Sequence, residues 1–209
     1  MNSIKQIEVI YNNRQVGRLA LTKAGLCAFE YSAEWLSSGF SISPVELPLR
    51  SGVFIAKPRP FEGGFGVFDD CLPDGWGLLI LDRYLQQKGI NPRALTLLDR
   101  LALVGSSGRG ALEFRPDHSV VTQQDYADFE KLALEAERIL DSDEYRGEGI
   151  EEFQDRGGSP GGARPKIFAR YEGKEWLVKF RAKRDPQSIG IDEYRYSLLA
   201  KECGIEMPD

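Results

Sequence analysis

Residues 157–167 read GGSPGGARPKI, and this glycine-rich run constrains the fold more than any other stretch of the chain. It contains four glycines, two prolines and one serine in eleven residues. The segments KIFARY and EWLVKF follow it and have the apolar, β-branched character of strands. Because glycine lacks a Cβ, such a loop lets successive backbone amides approach an anion closely. The pattern predicts either a flexible connection or an anion-binding loop next to a β-hairpin.

This loop is not a Walker A motif, because that motif continues as GK[ST] and opens a helix. Here Lys166 lies between Pro165 and Ile167 at the start of a predicted strand. A second nucleotide-binding geometry places a glycine loop as a flap over the phosphates, with a lysine on a following strand. Lys179 in LVKF occupies that place, and strand alternation puts it on one face with Leu177.

A carboxylate on the next helix is the third part of this geometry, and Glu193 fits it. Glu193 begins a helix predicted over residues 192–203 and shares a face with Ser197 and Ala200. A lysine among apolar neighbours keeps its charge only when it is paired, so we predict an ion pair between Lys179 and Glu193. The alternative is that Lys179 extends to solvent at a sheet edge and Glu193 is a helix-start acid favoured by the dipole.

The distribution of charge changes sign at the glycine loop. Residues 117–156 contain 13 acidic and 4 basic side chains, whereas residues 157–188 contain 8 basic and 3 acidic ones. This indicates either a local positive field where an anion binds or an acidic solvated helix beside a basic one. The net charge of −5 argues against non-specific nucleic-acid binding by the whole chain.

The first half of the chain is predicted to be a β-rich region followed by helices. Strands flank a turn at Asn12–Asn13, a third strand covers CAFEYS, and the prolines of SPVELPLR exclude a central strand there. One helix runs from Pro73 to a C′ glycine, Gly89, and Asn91 opens another that ends near Gly105. The FDDCLPDGWG stretch offers acids that we interpret as turn formers and helix-start residues, and a tryptophan that we interpret as packing: Asp69, Asp70, Asp74 and Trp76.

Between the two halves, residues 126–140 predict an amphipathic helix, and residues 141–155 predict an acidic linker or mobile loop. The apolar face of the helix is predicted to contain Phe129, Leu132, Ala133, Ala136 and Leu140.

The remaining composition limits the class of protein. Three distant cysteines, Cys27, Cys71 and Cys203, and a single histidine, His118, make a disulfide framework or a zinc site improbable. No run approaches the roughly 20 apolar residues of a membrane helix, and the N-terminus has no apolar block of signal-peptide length. We therefore expect a cytoplasmic protein with buried thiols.

Taken together, these stretches resemble the HipA-type serine/threonine kinases, the toxins of bacterial HipBA toxin–antitoxin modules. YNNRQVGRLAL, FEYSAEWL, ELPLR and FDDCLPDGWG are similar to the N-terminal subdomain of that family, and LVGSSGRGALEF to a later strand entry. SPGGARPK resembles the flap over ATP, WLVKF the strand of the ATP lysine, and DEYRYSLLAKECGIEMPD the helix with the paired acid.

The resemblance implies an α+β fold, a HipA-like, kinase-like N-terminal lobe. Its expected parts are a subdomain at 1–115, the amphipathic helix and acidic linker at 116–156, and the start of a kinase core at 157–209. It further implies ATP with Mg²⁺, phosphate transfer to a serine of a translation component of the aminoacyl-tRNA synthetase class, and growth arrest linked to persistence. The implied partner is a helix-turn-helix antitoxin similar to HipB, with DNA reached only through it and no membrane.

Carried over by motif, the resemblance assigns the ATP-binding residues. The flap would consist of Gly161, Gly162, Ala163 and Arg164. Lys179 would bind the phosphates, and Glu193 would orient it. Ser159 matches an autophosphorylated serine, and a phosphate there would add about −1.5 to −2 charge and eject the flap. The catalytic loop and the metal-binding aspartate of the family are expected beyond Asp209. We therefore predict no catalytic residue and no metal ligand in these 209 residues, and no phosphotransfer by this chain alone.

Two other interpretations remain open at this point. The chain could be a non-catalytic regulatory or antitoxin-binding module of a split toxin–antitoxin system, which would have no use for Lys179 and the flap. It could also be an unrelated nucleotide-binding enzyme, such as a ligase, with a strand-flanked glycine loop.

Overall fold

The computed structural model describes residues 3–119, 128–142, 145, 147–157, 162–182 and 184–207. The strands of these residues are β1 (Gln6–Tyr11), β2 (Arg14–Leu21), β3 (Cys27–Tyr31), β4 (Val53–Ile55), β5 (Glu113–Arg115), β6 (Lys166–Tyr171) and β7 (Lys174–Lys179). The helices are α1 (Ala33–Ser38), α2 (Gly66–Asp69), α3 (Gly75–Gln87), α4 (Leu97–Val104), α5 (Phe129–Asp141), α6 (Glu148–Gly157) and α7 (Ile189–Glu202). The predicted α+β class is confirmed.

A five-stranded antiparallel sheet in the order β4-β3-β2-β1-β5 forms the N-terminal part. The first hairpin turns at Asn12 and Asn13, whose φ angles are 47° and 60°. Two consecutive positive φ values are those of the turn that matches strand twist, and asparagine tolerates them. The hairpin predicted from the sequence is therefore confirmed.

One face of this sheet and the helices packed on it enclose a first core. Phe29 and Phe68, both fully buried, meet with ring centroids 5.4 Å apart. Other members of this core are Val9, Val16, Leu19, Trp35, Leu47, Leu98, Leu101 and Phe114. Alternate positions of β3 supply part of its sheet side, as the period of two requires. In β2, Val16 and Leu19 lie three positions apart, and the pairing of β1 with β2 shifts register next to Val16.

The second half of the predicted 91–105 helix is a separate helix with its own N-terminus. Asn91 does cap a turn, because its side chain accepts a hydrogen bond from the Arg93 amide, but that turn is a 3-10 helix of only three residues, Pro92–Ala94. Helix α4 then starts after Thr96, whose hydroxyl accepts from the Asp99 amide while the Asp99 carboxylate accepts from the Thr96 amide. The prediction of one continuous helix was wrong because this reciprocal cap starts a new helix.

Asp99 also ties the chain start to α4, since its Oδ1 accepts from the Ile4 amide at 2.8 Å. Burial raises its pKa, but the bonds donated by Ile4 and Thr96 outweigh burial, and the pKa lies below its usual range. A depressed folded-state pKa stabilises the protein above the unfolded pKa of about 4, and that stabilisation disappears as the pH falls through the folded value.

Replacing Asp99 with asparagine is expected to lower the free energy of unfolding by about 1–2 kcal/mol at pH 7, the range for a lost charged cap. The difference from wild type should shrink at acidic pH, where the wild-type carboxyl is protonated too. Urea unfolding at pH 7 and pH 3 measures both effects. The exposed carboxylate of Asp69 provides the control, and an Asp99→Asn deficit that is equal at both pH values contradicts the linkage.

A second core joins α3 to the C-terminal hairpin. Trp76 on α3 contacts Phe153 on α6 edge to face, with centroids 5.1 Å apart, and Phe153 contacts Phe180 in the same way. Other buried members are Ile80, Leu132, Ala136, Ile139, Ile150, Ile167 and Ala169. Trp76 is 2% exposed, which confirms its interpretation as a packing residue.

The linker predicted over residues 141–155 was wrong, because α6 occupies much of that stretch. Ile150 and Phe153 lie three residues apart on one helix face, and both are fully buried. Acidic side chains cover the exposed side, as Glu151 does in its ion pair with Lys88. Two buried apolar residues on one face, Ile150 and Phe153, pack this helix against the core although its composition is typical of a linker.

Helix α5 is rotated relative to the face predicted for it. Leu132 and Ala136 are buried as predicted, but Ile139 replaces Leu140, which is 36% exposed. Phe129, at the first turn, is 40% exposed. The predicted start at residue 126 lies outside the described residues, and the domain boundaries at 116 and 157 stay predictions.

Helix α7 begins three residues before its predicted start and carries an exposed apolar surface. It has no buried residue. The apolar side chains on its surface are Ile191, Tyr194, Tyr196, Leu198 and Leu199. Within the described part of the chain, no helix combines the length and the apolar character needed to cross a bilayer.

Candidate nucleotide-binding site

The β6–β7 hairpin positions the lysines of the candidate site. Its two-residue turn, Glu172 and Gly173, has φ angles of 50° and 75°, and Lys166 pairs directly with Lys179 at the open end. Directly paired residues point to the same face of an antiparallel ladder. Ile167 packs into the second core on the other face, so both lysines lie on the side of the hairpin away from that core.

The predicted ion pair between Lys179 and Glu193 is present. Lys179 Nζ lies 2.9 Å from Glu193 Oε2, and the two side chains are 49% and 43% exposed. An ion pair this exposed contributes only about 0–1 kcal/mol to folding, because water and salt screen it. The fold therefore gains little from the pair, as it does from the equally exposed pair of Lys88 and Glu151. What distinguishes the Lys179–Glu193 pair is its place beside Arg164 at the end of the glycine loop.

Arg164 adds a second cation to Glu193. Its Nη1 lies 3.6 Å from Glu193 Oε1, and its Nη2 lies 3.0 Å from Asp185 Oδ1. A hydrogen bond from the Ala182 amide lowers the pKa of Asp185, and Arg164 lowers it further. Sequence reasoning missed Asp185, although an Asp-Pro pair is a turn signal that could have drawn attention to it.

Lys166 and Gly162 bring the end of the glycine loop to these charges. Gly162 has a φ of 94°, and a Cβ built on it would lie 3.0 Å from Lys166 Nζ. Lys166 is 8% exposed, and its role at the site was not predicted from the sequence. Ser159 and Gly161 lie outside the described residues, so the structure places Gly162, Ala163 and Arg164 of the predicted flap.

A loop of the N-terminal part covers the far end of the same hairpin face. The guanidinium of Arg109 lies over the Phe168 ring, 3.8 Å from its centroid, and Arg109 Nη1 lies 3.2 Å from Glu175. Sequence reasoning missed the role of Arg109, which lies in the GSSGRG stretch. We interpreted that stretch only as the entry to a strand.

The site thus combines three cations with two carboxylates beside the end of a glycine loop. Lys166, Lys179 and Arg164 outnumber Glu193 and Asp185 by one charge. Cationic side chains and glycine amides are the groups that bind phosphate oxygens. This arrangement fits a polyphosphate anion.

The described residues offer no metal-binding cluster, and two of the three cysteine thiols have a raised pKa. Among the described residues, no group of three or more histidine, cysteine, aspartate or glutamate side chains could hold a metal ion. Burial raises the pKa of the Cys27 thiol to about 11, and burial together with the neighbouring Asp70 does the same for Cys71. Cys203 is exposed, so the expectation of buried thiols was wrong for that residue.

A separate cleft of about 570 Å³ lies in the N-terminal part. Its walls include Leu72, Leu78 and Leu97, and Asp74 and Gly75 lie on its border. The cleft is therefore distinct from the lysine site, although the first residues of α3 adjoin both.

Comparison with known proteins agrees with this fold. A model of the HipA N-terminal domain matches residues 7–115, more than half of the chain. A solved structure with a similar fold is HipA of Shewanella oneidensis MR-1 in its toxin–antitoxin complex with HipB and operator DNA, at 22% identity and a TM-score of 0.60. That match covers 97% of this chain and 46% of the solved chain, so this chain spans about half the length of the protein it matches. The chain belongs to the HipA family and corresponds to the N-terminal half of a HipA-type protein.

Proposed function

We propose that this chain is the ATP-side half of a HipA-type serine/threonine protein kinase. The observation that carries the proposal is the half-exposed pair of Lys179 and Glu193, 2.9 Å apart beside the end of a glycine loop. A non-catalytic binding module would have no need of this pair. The family membership supports the kinase class over an unrelated nucleotide-binding enzyme.

Each residue of the site has a role in this proposal. Lys179 binds the α- and β-phosphates, and Glu193 orients its ammonium group. Ala163 brings the loop backbone close to the phosphates, Gly162 gives the loop its turn before it, and Arg164 adds charge at the site. ATP supplies the phosphoryl group when it is bound. Gly161 and Ser159 complete the proposed flap and its regulatory autophosphorylation site, outside the described residues.

The catalytic base and the Mg²⁺ ligands are assigned to the other half of a HipA-type protein. The described residues of this chain offer no carboxylate cluster for a metal, so no step is assigned to Mg²⁺ here. The exposed apolar side chains of α7, such as Leu198 and Leu199, would suit packing against that other half.

The partner and substrate follow from the family at the level of a proposal. A helix-turn-helix antitoxin similar to HipB is the proposed partner, supported by the HipA–HipB–DNA assembly of the structural neighbour. DNA is then reached only through the antitoxin. The proposed substrate is a serine of a translation component, in the class of aminoacyl-tRNA synthetases, whose phosphorylation in the cytoplasm would arrest growth and favour persistence.

The test of this function is titration of the purified chain with Mg·ATP by calorimetry, followed by incubation with radiolabelled ATP. We expect a dissociation constant of about 1 µM to 1 mM, the range in which enzymes hold such substrates, and no transfer of label. Phosphate transfer by the 209-residue chain contradicts the assignment of catalysis to the other half. A chain that binds an antitoxin but no nucleotide is instead the non-catalytic module.

A further inference from the structure

The first residues of α3 hold the end of the glycine loop through two hydrogen bonds. The Gly162 amide donates to Asp74 Oδ1 at 2.8 Å, and the Trp76 amide donates to the Gly162 carbonyl at 3.0 Å. Both polar groups of the Gly162 backbone are therefore engaged by residues 88 and 86 positions earlier in the chain. The contact joins the part of the chain that the HipA N-terminal domain model matches to the loop beside Lys179.

The packing at this contact requires glycine on the α3 side. Gly75 has a φ of 45°, and a Cβ built on it would lie 2.6 Å from the Gly162 carbonyl oxygen and 2.9 Å from the Ala163 amide nitrogen. Any larger residue would push the loop away from α3 or distort the backbone. The two chain segments therefore meet backbone to backbone.

Asp74 occupies the N-cap position of α3, where a carboxylate ordinarily accepts from its own helix. Its Oδ1 instead accepts from the loop amide, 88 residues away. The bond is exposed to solvent, and its charged acceptor makes it stronger than a neutral hydrogen bond in the same position. The next residue but one, Trp76, is 2% exposed in the second core, so the contact is anchored to a buried residue.

We propose that Asp74 and Gly75 are positioning residues for nucleotide binding: they hold Gly162 so that Ala163, Arg164 and Lys166 stay beside the Lys179–Glu193 pair. This inference rests on the proposed ATP site. It assigns the HipA N-terminal domain a direct part in nucleotide affinity, because the domain supplies the support on which the end of the loop rests.

The alternative role of Asp74 is to compete with phosphate and so lower ATP affinity, since its carboxylate takes an amide that a phosphate could use. The second bond argues against such competition. The Gly162 carbonyl accepts from the Trp76 amide, and a bound phosphate could not replace that donor. A contact that satisfies donor and acceptor together is a docking contact for the backbone, and its loss frees the loop instead of opening an anion site.

The sign of the effect on ATP affinity separates these two possibilities. Asp74→Ala is expected to weaken Mg·ATP binding about threefold to tenfold, which corresponds to one hydrogen bond. Asp74→Asn keeps an oxygen that can accept from Gly162 and should restore most of the affinity. Asp69→Ala removes an exposed carboxylate nearby and should leave the affinity unchanged. Gly75→Ala should weaken binding at least as much as Asp74→Ala.

Hydrogen exchange of the Gly162 amide, followed by NMR, provides a readout that does not depend on ATP. We expect Asp74→Ala to speed this exchange about threefold to tenfold while Asp74→Asn does so less, because the amide loses its acceptor. Faster exchange together with weaker ATP binding supports the inference.

Three outcomes would overturn it. Unchanged exchange in Asp74→Ala means that the contact does not hold the loop. Faster exchange with unchanged or tighter ATP binding, in a chain whose wild type binds ATP, refutes the positioning role alone and leaves the ATP site standing. A wild-type chain that binds no ATP refutes the proposed function, and the positioning role with it, whatever the exchange data show.

Discussion

Replacing Lys179 with methionine is expected to weaken Mg·ATP binding by about tenfold to a hundredfold. Methionine has a similar length and an apolar end, so it keeps the packing along the strand and removes the charge. A hydrogen bond to a charged group is worth about 1.5–3 kcal/mol, and each 1.4 kcal/mol is a factor of ten in affinity. Calorimetric titration of the wild-type and variant chains measures the change directly.

The control for this substitution is Lys174→Met on the same strand. Lys174 is exposed and begins β7, and strand alternation places it on the opposite face from Lys179. It should leave the affinity for Mg·ATP unchanged. Equal losses in the two variants would mean that general positive charge, and not the position of Lys179, attracts the nucleotide.

Glu193→Gln tests whether the acid acts through Lys179. We expect weaker ATP binding with a loss of less than about 1 kcal/mol in the free energy of unfolding, since a half-exposed pair adds little stability. The matched control is Glu151→Gln, because Glu151 pairs with Lys88 at 2.7 Å and the two side chains are 49% and 48% exposed. Glu151→Gln should lower the free energy of unfolding by a similarly small amount and leave the affinity for ATP unchanged.

The effects of Lys179→Met and Glu193→Gln should not add, because residues in one ion pair are coupled. A double variant that binds ATP about as weakly as Lys179→Met alone supports a shared role. Full additivity in the logarithm of the dissociation constant would show that Glu193 acts on the nucleotide independently of Lys179.

Replacing Trp76 with alanine is expected to cost about 3–5 kcal/mol in the free energy of unfolding, the range for a large buried aromatic. Trp76 is 2% exposed, and its ring meets Phe153 at the centre of the second core. Because this core joins α3 to α6 and the β6–β7 hairpin, the damage should be greatest there. Denaturant unfolding gives the total, and hydrogen exchange should show larger losses of protection in β6–β7 than in β1–β3.

Trp176→Ala provides the matched control on the hairpin itself. Trp176 is 43% exposed, so the same substitution removes much less buried surface and should cost clearly less. A Trp76→Ala variant as stable as Trp176→Ala would contradict the assignment of Trp76 to a core that holds the two parts together. Equal loss of protection in both sheets would show that the two cores unfold as one unit.

Several features of the fold were predictable because short stretches of sequence encode them. Asn12–Asn13 sits between two alternating runs, and only a few backbone conformations join strands over two residues. Lys179 and Glu193 are 14 residues apart, on a strand and on the helix that follows it. Over so short a separation, strand alternation and helix spacing predicted that both side chains would meet.

Other features could not be predicted because they depend on what a segment packs against. Residues 148–157 are mostly polar and acidic, and their composition indicated a linker. Ile150 and Phe153 nevertheless pack into the second core. In α5, Ile139 is buried and Leu140 is not. The difference is a rotation of the helix by a fraction of a turn, and the elements packed against the helix decide that rotation. Propensity and composition are weak when tertiary burial decides the outcome.

The sequence by itself determined the two hairpins, the strand face of Lys179, its ion pair with Glu193 and the resemblance to the HipA family. Only the tertiary structure decided that Asp74 and Trp76 hold Gly162, that Asp185 pairs with Arg164, and that α6 belongs to the second core. The physical reason is the range of the interactions. Local periodicity fixes the direction of a side chain, whereas a contact between residues 88 positions apart exists only once packing has brought their two elements together.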